Sequence, residues 1–256
     1  MTDLVAQLTA LSGMGEAYVW LTFLVFLRVG AAMALLPAFG EQSVPTRVRL
    51  VLTLAFTAIV APAVSGAAPA AGVLSAAAEV LSGLAIGLGL RMFVLALQMA
   101  GAIAAQATSL SQVFGGTGPE PLPALGNLLV MAGLALAVMS GLHVRAAAML
   151  ILSYDVLPLG RLPNPSDMAD WGLMQIARAF SLAFTLAMPF VIAALIYNVA
   201  LGIINRAMPQ LMVSFVGAPA LTAGSLALMA VVVPLALGIW LARFNSFLAA
   251  PFSGAP

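Results

Sequence analysis

Few side chains in this sequence could do chemistry. Among 256 residues there are nine basic groups, eight acidic groups, one histidine and no cysteine. Without cysteine, disulfides and thiolate chemistry are excluded. His143 has no second His or Cys to build a metal site with, and reads as a hydrogen-bonded or interfacial histidine. Serines and aspartates occur without a nucleophile elbow, and there is no phosphate-binding Gly-Lys loop or His-Glu-Xaa-Xaa-His sequence. No enzyme and no cofactor are expected. The ionisable groups that stand out do so by location: Arg28, Glu79 and Arg91 interrupt long apolar stretches. A charge at that depth normally faces protein, a counter-charge or a water-filled path. For Arg28 the alternative is snorkelling to an interface. Glu79 and Arg91 are too far apart along one helix to pair, so each needs a partner elsewhere or a wet surface.

A polar group lies between Asn198 and Pro219, NVALGIINRAMPQLMVSFVGAP, with apolar sequence on both sides. Pro209 removes a helix donor and blocks the preceding turn, so Met208-Pro209 reads as the corner of a helical hairpin. Asn198 and Asn205 fall on nearly one helical face, and Arg206 and Gln210 form an i,i+4 pair if the turn stays helical. Two readings stand for Asn205, Arg206, Pro209 and Gln210. They satisfy the corner of an apolar hairpin, or they meet a partner.

The elements that carry these residues are membrane helices. The chain is 63% hydrophobic and 7% charged, with mean hydropathy +1.15, against roughly a quarter charged in soluble domains. Continuous apolar runs exclude the alternation of an outer-membrane barrel. The fold class is all-α, a polytopic helical membrane protein with about six long hydrophobic helices. All nine basic residues are arginine, and the net charge of +1 gives no sign of nucleic-acid binding. The N-terminus has Asp3 and Glu16 and no basic group before Arg28, unlike a signal peptide, and is expected to be mature protein.

In chain order, 17–39 is a first span with Pro37 near its end. Arg47 and Arg49 open a second, and are ordinary positive-inside anchors on residue type alone. The runs 72–106, 171–204 and 212–244 are each much longer than the ~20 residues that a bilayer core of about 30 Å requires. Either these helices continue beyond the lipid under protein cover, or they break into shorter pieces, with Pro189 and Pro234 as candidate kinks. Gly83 and Gly87 have the small-xxx-small spacing of close helix contacts. Residues 106–123, QATSLSQVFGGTGPEPLP, cannot form regular helix, yet include Leu110, Val113 and Phe114. They read as a re-entrant element or as a surface loop. A helical segment is expected over 124–152 and a water-exposed loop over 161–170, where Asp167 or Asp170 could cap the next helix. Counting arginines over six spans places the Asn205–Gln210 tip on the cytoplasmic side.

Taken together, the ordered series Arg28, Pro37, Pro45, Arg47, Arg49, Pro62, then Ser153 with Pro158-Xaa-Gly160, then Asn205-Arg206 with Pro209-Gln210-Leu211 and Gly217-Xaa-Pro219 resembles the FliR/SctT family. These are export-gate membrane proteins of the bacterial flagellar and type III secretion apparatus. The resemblance implies a FliP-like helical part over residues 1–170 and a FliQ-like helical hairpin over 171–256. It implies assembly with FliP, FliQ and FlhB-like subunits, contact with membrane lipid, and passage of unfolded export substrates. The segment containing Leu110, Val113, Phe114, Gly115 and Gly116 corresponds to a loop that plugs the channel, although Gly115-Gly116-Thr117-Gly118 replaces the family's polar stretch. The implied role is a pore-lining and pore-closing subunit in the bacterial inner membrane at the flagellar basal body. The alternatives are the virulence-type secretion gate and a polytopic solute transporter. A transporter would be expected to show matching broken helices in its two halves, which this sequence does not.

Overall fold

The computed structural model describes residues 2–64, 72–109, 124–208 and 213–252. The described residues are helical and contain no strand. Seven α-helices run in order: α1 (Thr2–Leu35), α2 (Thr46–Val60), α3 (Val73–Ser109), α4 (Ala124–Met139), α5 (Leu142–Val156), α6 (Pro165–Ala207) and α7 (Val213–Ala249). A short 3₁₀ turn, Ala61–Ala63, follows α2.

The punctuation is mostly proline and glycine. α1 ends two residues before Pro37, and α2 begins directly after Pro45 and gives way at Pro62, as the ring's missing N–H and its effect on the preceding residue require. α6 opens with Pro165 at its first position, where the absent N–H costs nothing. Its cap is Asn164, whose Oδ1 accepts the backbone N–H of Ser166 at 3.2 Å. The expected cap at Asp167 or Asp170 is therefore displaced toward the N-terminus, and part of the expected loop 161–170 is already helix. The expected single segment 124–152 is also divided. Gly141 adopts φ 86°, outside the right-handed helical region, and separates α4 from α5. The break that Pro189 could have made does not occur, since α6 is one helix of 43 residues with that proline inside it.

Among the described residues, five helices are long and apolar enough to cross a membrane, or six if the α4–α5 pair counts as one span. α3 and α7 have 37 residues each. At 1.5 Å per residue, helices of 37 to 43 residues are roughly 55–65 Å long, about twice a bilayer core. Over-length is therefore a property of continuous helices and not of runs broken into pieces.

The chain divides into two compact units, 1–91 with 140–175 and 246–256, and 92–139 with 176–245. The first unit packs α1 against α2 and the start of α3, with α5 against α2. α1 and α3 run parallel and touch through backbone. A side chain at Gly83 would strike the carbonyl of Arg28 and the side chain of Ala31, and one at Gly87 would strike Ala32 and Leu35. Near the end of this unit, Trp171 donates its indole N–H to the carbonyl of Pro251 at 2.9 Å and lies against Phe252.

The second unit is centred on α7. Trp240 and Phe244 are fully buried and stacked, with ring centroids 5.0 Å apart. Phe93 meets Phe244 edge-on, and its carbonyl accepts the Trp240 indole N–H at 2.9 Å. α6 buries a stripe of mostly small residues, Ala179, Ala183, Ala187 and Ala194, with Leu186 and Phe190. Most of its other large side chains point outward. Small residues inside and large ones outside is the arrangement of helices that pack in or beside lipid.

Candidate functional site

The centre of the first unit is an ion pair in an otherwise apolar core. Arg28 on α1 and Glu79 on α3 are both completely buried. The guanidinium grips the carboxylate side-on, with Nε donating to Oε2 at 2.7 Å and Nη2 to Oε1 at 3.0 Å. Nη2 also donates to the carbonyl of Leu157 at 2.8 Å, and Nη1 to Oγ of Ser153 at 3.1 Å. The Tyr154 ring lies under the guanidinium, 3.7 Å from its centroid, and its hydroxyl donates to Oε2 of Glu79 at 3.4 Å. The backbone N–H of Gly160 completes the carboxylate's shell by donating to Oε1 at 2.7 Å.

Burying two charges costs several kcal/mol per ion, so such a pair holds only when the remaining donors and acceptors are satisfied. Here four of the five guanidinium N–H groups have acceptors, and each carboxylate oxygen accepts two bonds. The shell comes from the end of α5 and the turn after it. α5 stops because Pro158 follows Leu157, which leaves the Leu157 carbonyl free for Arg28. Gly160 then takes φ 70°, a conformation with no steric penalty only for glycine, and this aims its N–H at Glu79. The sequence Ser153…Pro158-Leu159-Gly160 is thus a receptor for the Arg28–Glu79 pair.

A second clasp joins the α1–α2 connector to α3. Arg91 Nη1 donates to Glu41 Oε1 at 2.6 Å, with both side chains about a quarter exposed. Arg49, at the start of α2, donates to the carbonyls of Phe39 and Glu41. The polarity is the reverse of the first clasp, since the acid now follows α1 and the arginine lies on α3.

Of the three charges that interrupt the apolar runs, Arg28 and Glu79 come together and Arg91 goes elsewhere. Snorkelling of Arg28 is overturned by its complete burial. Arg49 binds connector carbonyls, a role that residue type alone did not give it. Sequence reasoning missed Glu41 altogether, and missed the pairing of Arg28 with Glu79. The signal for the latter was present: Glu79 is the only acid of the eight inside a long apolar run, and a deeply buried arginine needs one.

The hairpin-tip residues behave differently. Asn205 and Arg206 end α6 and are exposed, and among the described residues Arg206 has no bonding partner. Asn198 bonds back to the carbonyl of Ala194. Pro209 and Gln210 lie outside the described residues, as do Leu110, Val113, Phe114, Gly115 and Gly116. Of the expected interruption 106–123, residues 106–109 are still helix and end α3, and 110–123 lie outside the described residues. α3 and α4 approach to backbone contact at Gly101 and Gly126. His143 is exposed in the first turn of α5.

Comparison with known proteins gives this arrangement a relationship. Residues 19–247 match the family of bacterial export proteins, family 1. The flagellar biosynthetic protein FliR of Caulobacter vibrioides is 34% identical over 239 residues, covering 90% of this chain and 95% of that protein. FliR of Escherichia coli is 30% identical over 231 residues, covering 84% and 86%. FliR of Bacillus subtilis is 27% identical over 206 residues, covering 77% and 79%. The matched span contains both clasps, the α3–α4 stem and the α6 tip, and the chain belongs to the FliR family of bacterial export proteins.

Proposed function

We propose that this chain is a subunit of the flagellar type III protein export gate in the bacterial inner membrane, where it lines and closes the channel for unfolded export substrates beside FliP, FliQ and FlhB-like subunits. The observation that carries the reading is uncovered apolar length. Exposed apolar side chains run along α6 from Ile176 through Phe180, Phe184, Met188 and Ile192 to Ile203, winding from one face of the helix to the other. At 1.5 Å per residue this length is about 40 Å, against a hydrocarbon core of about 30 Å. Tilt takes up part of the difference, and apolar surface left in water would be unfavourable by about 25 cal/mol per Å². Partner helices of similar length would cover it.

Closure falls to Leu110, Val113 and Phe114. They follow α3 directly and precede Gly115-Gly116. The backbone contact at Gly101 and Gly126 supports a segment that leaves and re-enters from one tight stem. Apolar side chains on such a loop would exclude water from a narrow pore. Residues 171–256, with the exposed Asn205-Arg206 end of α6, would serve as a FliQ-like hairpin whose tip meets a partner.

Affinity purification of the tagged full chain from native membranes tests the assignment. FliP- and FliQ-type subunits are expected to co-purify. A homogeneous monomer whose stability responds to a small solute would replace the gate with a transporter.

A further inference from the structure

The connector between α1 and α2 is built unlike the rest of the first unit. Ala38 within it has φ 68°, and it is the one non-glycine with positive φ among the described residues. For a residue with a Cβ that conformation is strained, and strain of this kind persists only where the surroundings enforce it. The enforcing contacts include the burial of Leu36 and Pro37 and the edge-on packing of Phe39 against Phe56 of α2. Gly40 donates its N–H to the carbonyl of Leu36 at 2.7 Å. Arg49 holds the carbonyls of Phe39 and Glu41. Glu41 pairs with Arg91 at 2.6 Å. That pair is part-buried, with about a quarter of each side chain exposed, whereas Arg28–Glu79 is sealed. A partly exposed pair is screened by water and salt more than a sealed one. A sealed one is costly to separate.

α2, which the connector leads into, packs on α1 and α5 through one face only. Its buried residues are Thr53, Phe56, Thr57 and Val60, and both threonine hydroxyls bond to their own helix. Val48, Leu50, Val51, Leu54 and Ile59 are exposed.

We propose that residues 36–45 form a strained strap on the first unit, with Glu41–Arg91 as its releasable catch and Arg28–Glu79 as the fixed pin. When the catch opens, Ala38 relaxes out of the left-handed region, and α2 follows the connector because Arg49 ties the two together. α1 and α3 do not separate, because the sealed pair and the glycine contacts at Gly83 and Gly87 hold them in register. The moving part is α2 and its exposed apolar face.

The absence of native cysteine makes spin-label distances on this chain clean. Nitroxides at Ser43→Cys and Leu88→Cys, in the full chain with its co-purified partners, report the strap. Labels at Ala34→Cys and Leu84→Cys report the pinned helices. The unsubstituted complex, labelled in parallel, supplies the background. The original catch should give one narrow 43–88 distance. Glu41→Gln and Arg91→Gln should each add a longer population, while the 34–84 distance stays narrow. The exchanged pair Glu41→Arg with Arg91→Glu should restore the narrow distance. Adding Ala38→Gly to Glu41→Gln should reduce the longer population several-fold, because glycine removes the strain that drives release. An unchanged 43–88 distance in both neutral variants would overturn the proposal. So would failure of the exchanged pair to restore it, simultaneous broadening of the 34–84 distance, or no effect of Ala38→Gly.

Discussion

Arg28 shows how much one buried charge depends on its surroundings. Removing one partner of a buried pair leaves the other uncompensated, which costs about 3–5 kcal/mol. Arg28→Leu and Glu79→Gln are therefore each expected to abolish accumulation of folded protein, measured as protease-resistant chain in membranes. The double variant Arg28→Met with Glu79→Leu should recover a good part of that loss, because no lone charge remains. It should not recover all of it, since the Leu157 carbonyl and the Gly160 N–H would lose their partners, each worth about 1–3 kcal/mol when buried unsatisfied. A double variant as poor as the worse single one would mean that the shell matters more than the pair. Gly160→Ala tests the shell separately. It should destabilise by about 1–2 kcal/mol through the left-handed backbone, seen as a lower midpoint in thermal unfolding of the purified complex.

At the scale of elements, the contact of α1 with α3 has a specified register. Gly83 and Gly87 allow backbone contact, and the two clasps of opposite polarity sit on either side of that contact. Sliding α1 along α3 by one turn would leave Glu79 unpaired inside the core. Gly83→Val is expected to cost at least the 1–3 kcal/mol typical of overpacking, because a Cβ there meets the Arg28 carbonyl, which cannot rotate away. Gly172→Ala, where a Cβ would meet nothing within 4 Å, should be neutral in the same expression and protease assay. At the far end of α6, Arg206 is exposed and can meet a partner's acid or carbonyls. Arg206→Leu should reduce export, while Arg206→Lys, which keeps the charge but loses the planar fork, should reduce it less. Normal export from both would make Arg206 only an interfacial anchor. The number of spans, the end of α6 ahead of Pro209 and the over-length runs were legible from hydropathy and proline placement, because those are local signals. The Gly141 break was not legible. A single glycine in an apolar run is usually tolerated, and only the chain's course shows that this one has left the helix. The Arg28–Glu79–Gly160 site was half legible: Ser153, Pro158 and Gly160 stood out through the family resemblance, but their role required knowing which helices run side by side. Glu41 gave no signal at all, since a glutamate in a polar connector is ordinary.

The whole molecule carries more apolar surface than it can cover. On α6 most large side chains face outward, and α7 buries Ala236, Leu237, Trp240, Phe244, Phe247 and Leu248 among the described residues. Expressed without partners, the full chain is expected to aggregate or be degraded. A solitary, protease-resistant monomer in mild detergent would contradict the need for cover. Given an assembled gate, the remaining question is what closes it. A closed pore must hold back small ions and yet give way to an arriving polypeptide, which a rigid helix could do only by moving whole spans. In the proposed gate, Leu110, Val113 and Phe114 next to Gly115-Gly116-Thr117-Gly118 would combine apolar, water-excluding side chains with a sequence that turns without steric cost. Pro119, Pro121 and Pro123 would limit how far that freedom spreads toward α4. α3 and α4 are held together outside the segment by the contact of Gly101 with Gly126. Deleting residues 113–118, or replacing Phe114 by Ser, should therefore leave assembly intact and make the complex leaky to ions. Bulky residues or proline at positions 115 and 116 should instead slow export without leak. The measurement is membrane conductance of cells carrying the assembled mutant complex, with assembly checked by co-purification. Unchanged conductance in a correctly assembled deletion would reduce 110–123 to a connector and move closure to the partner subunits.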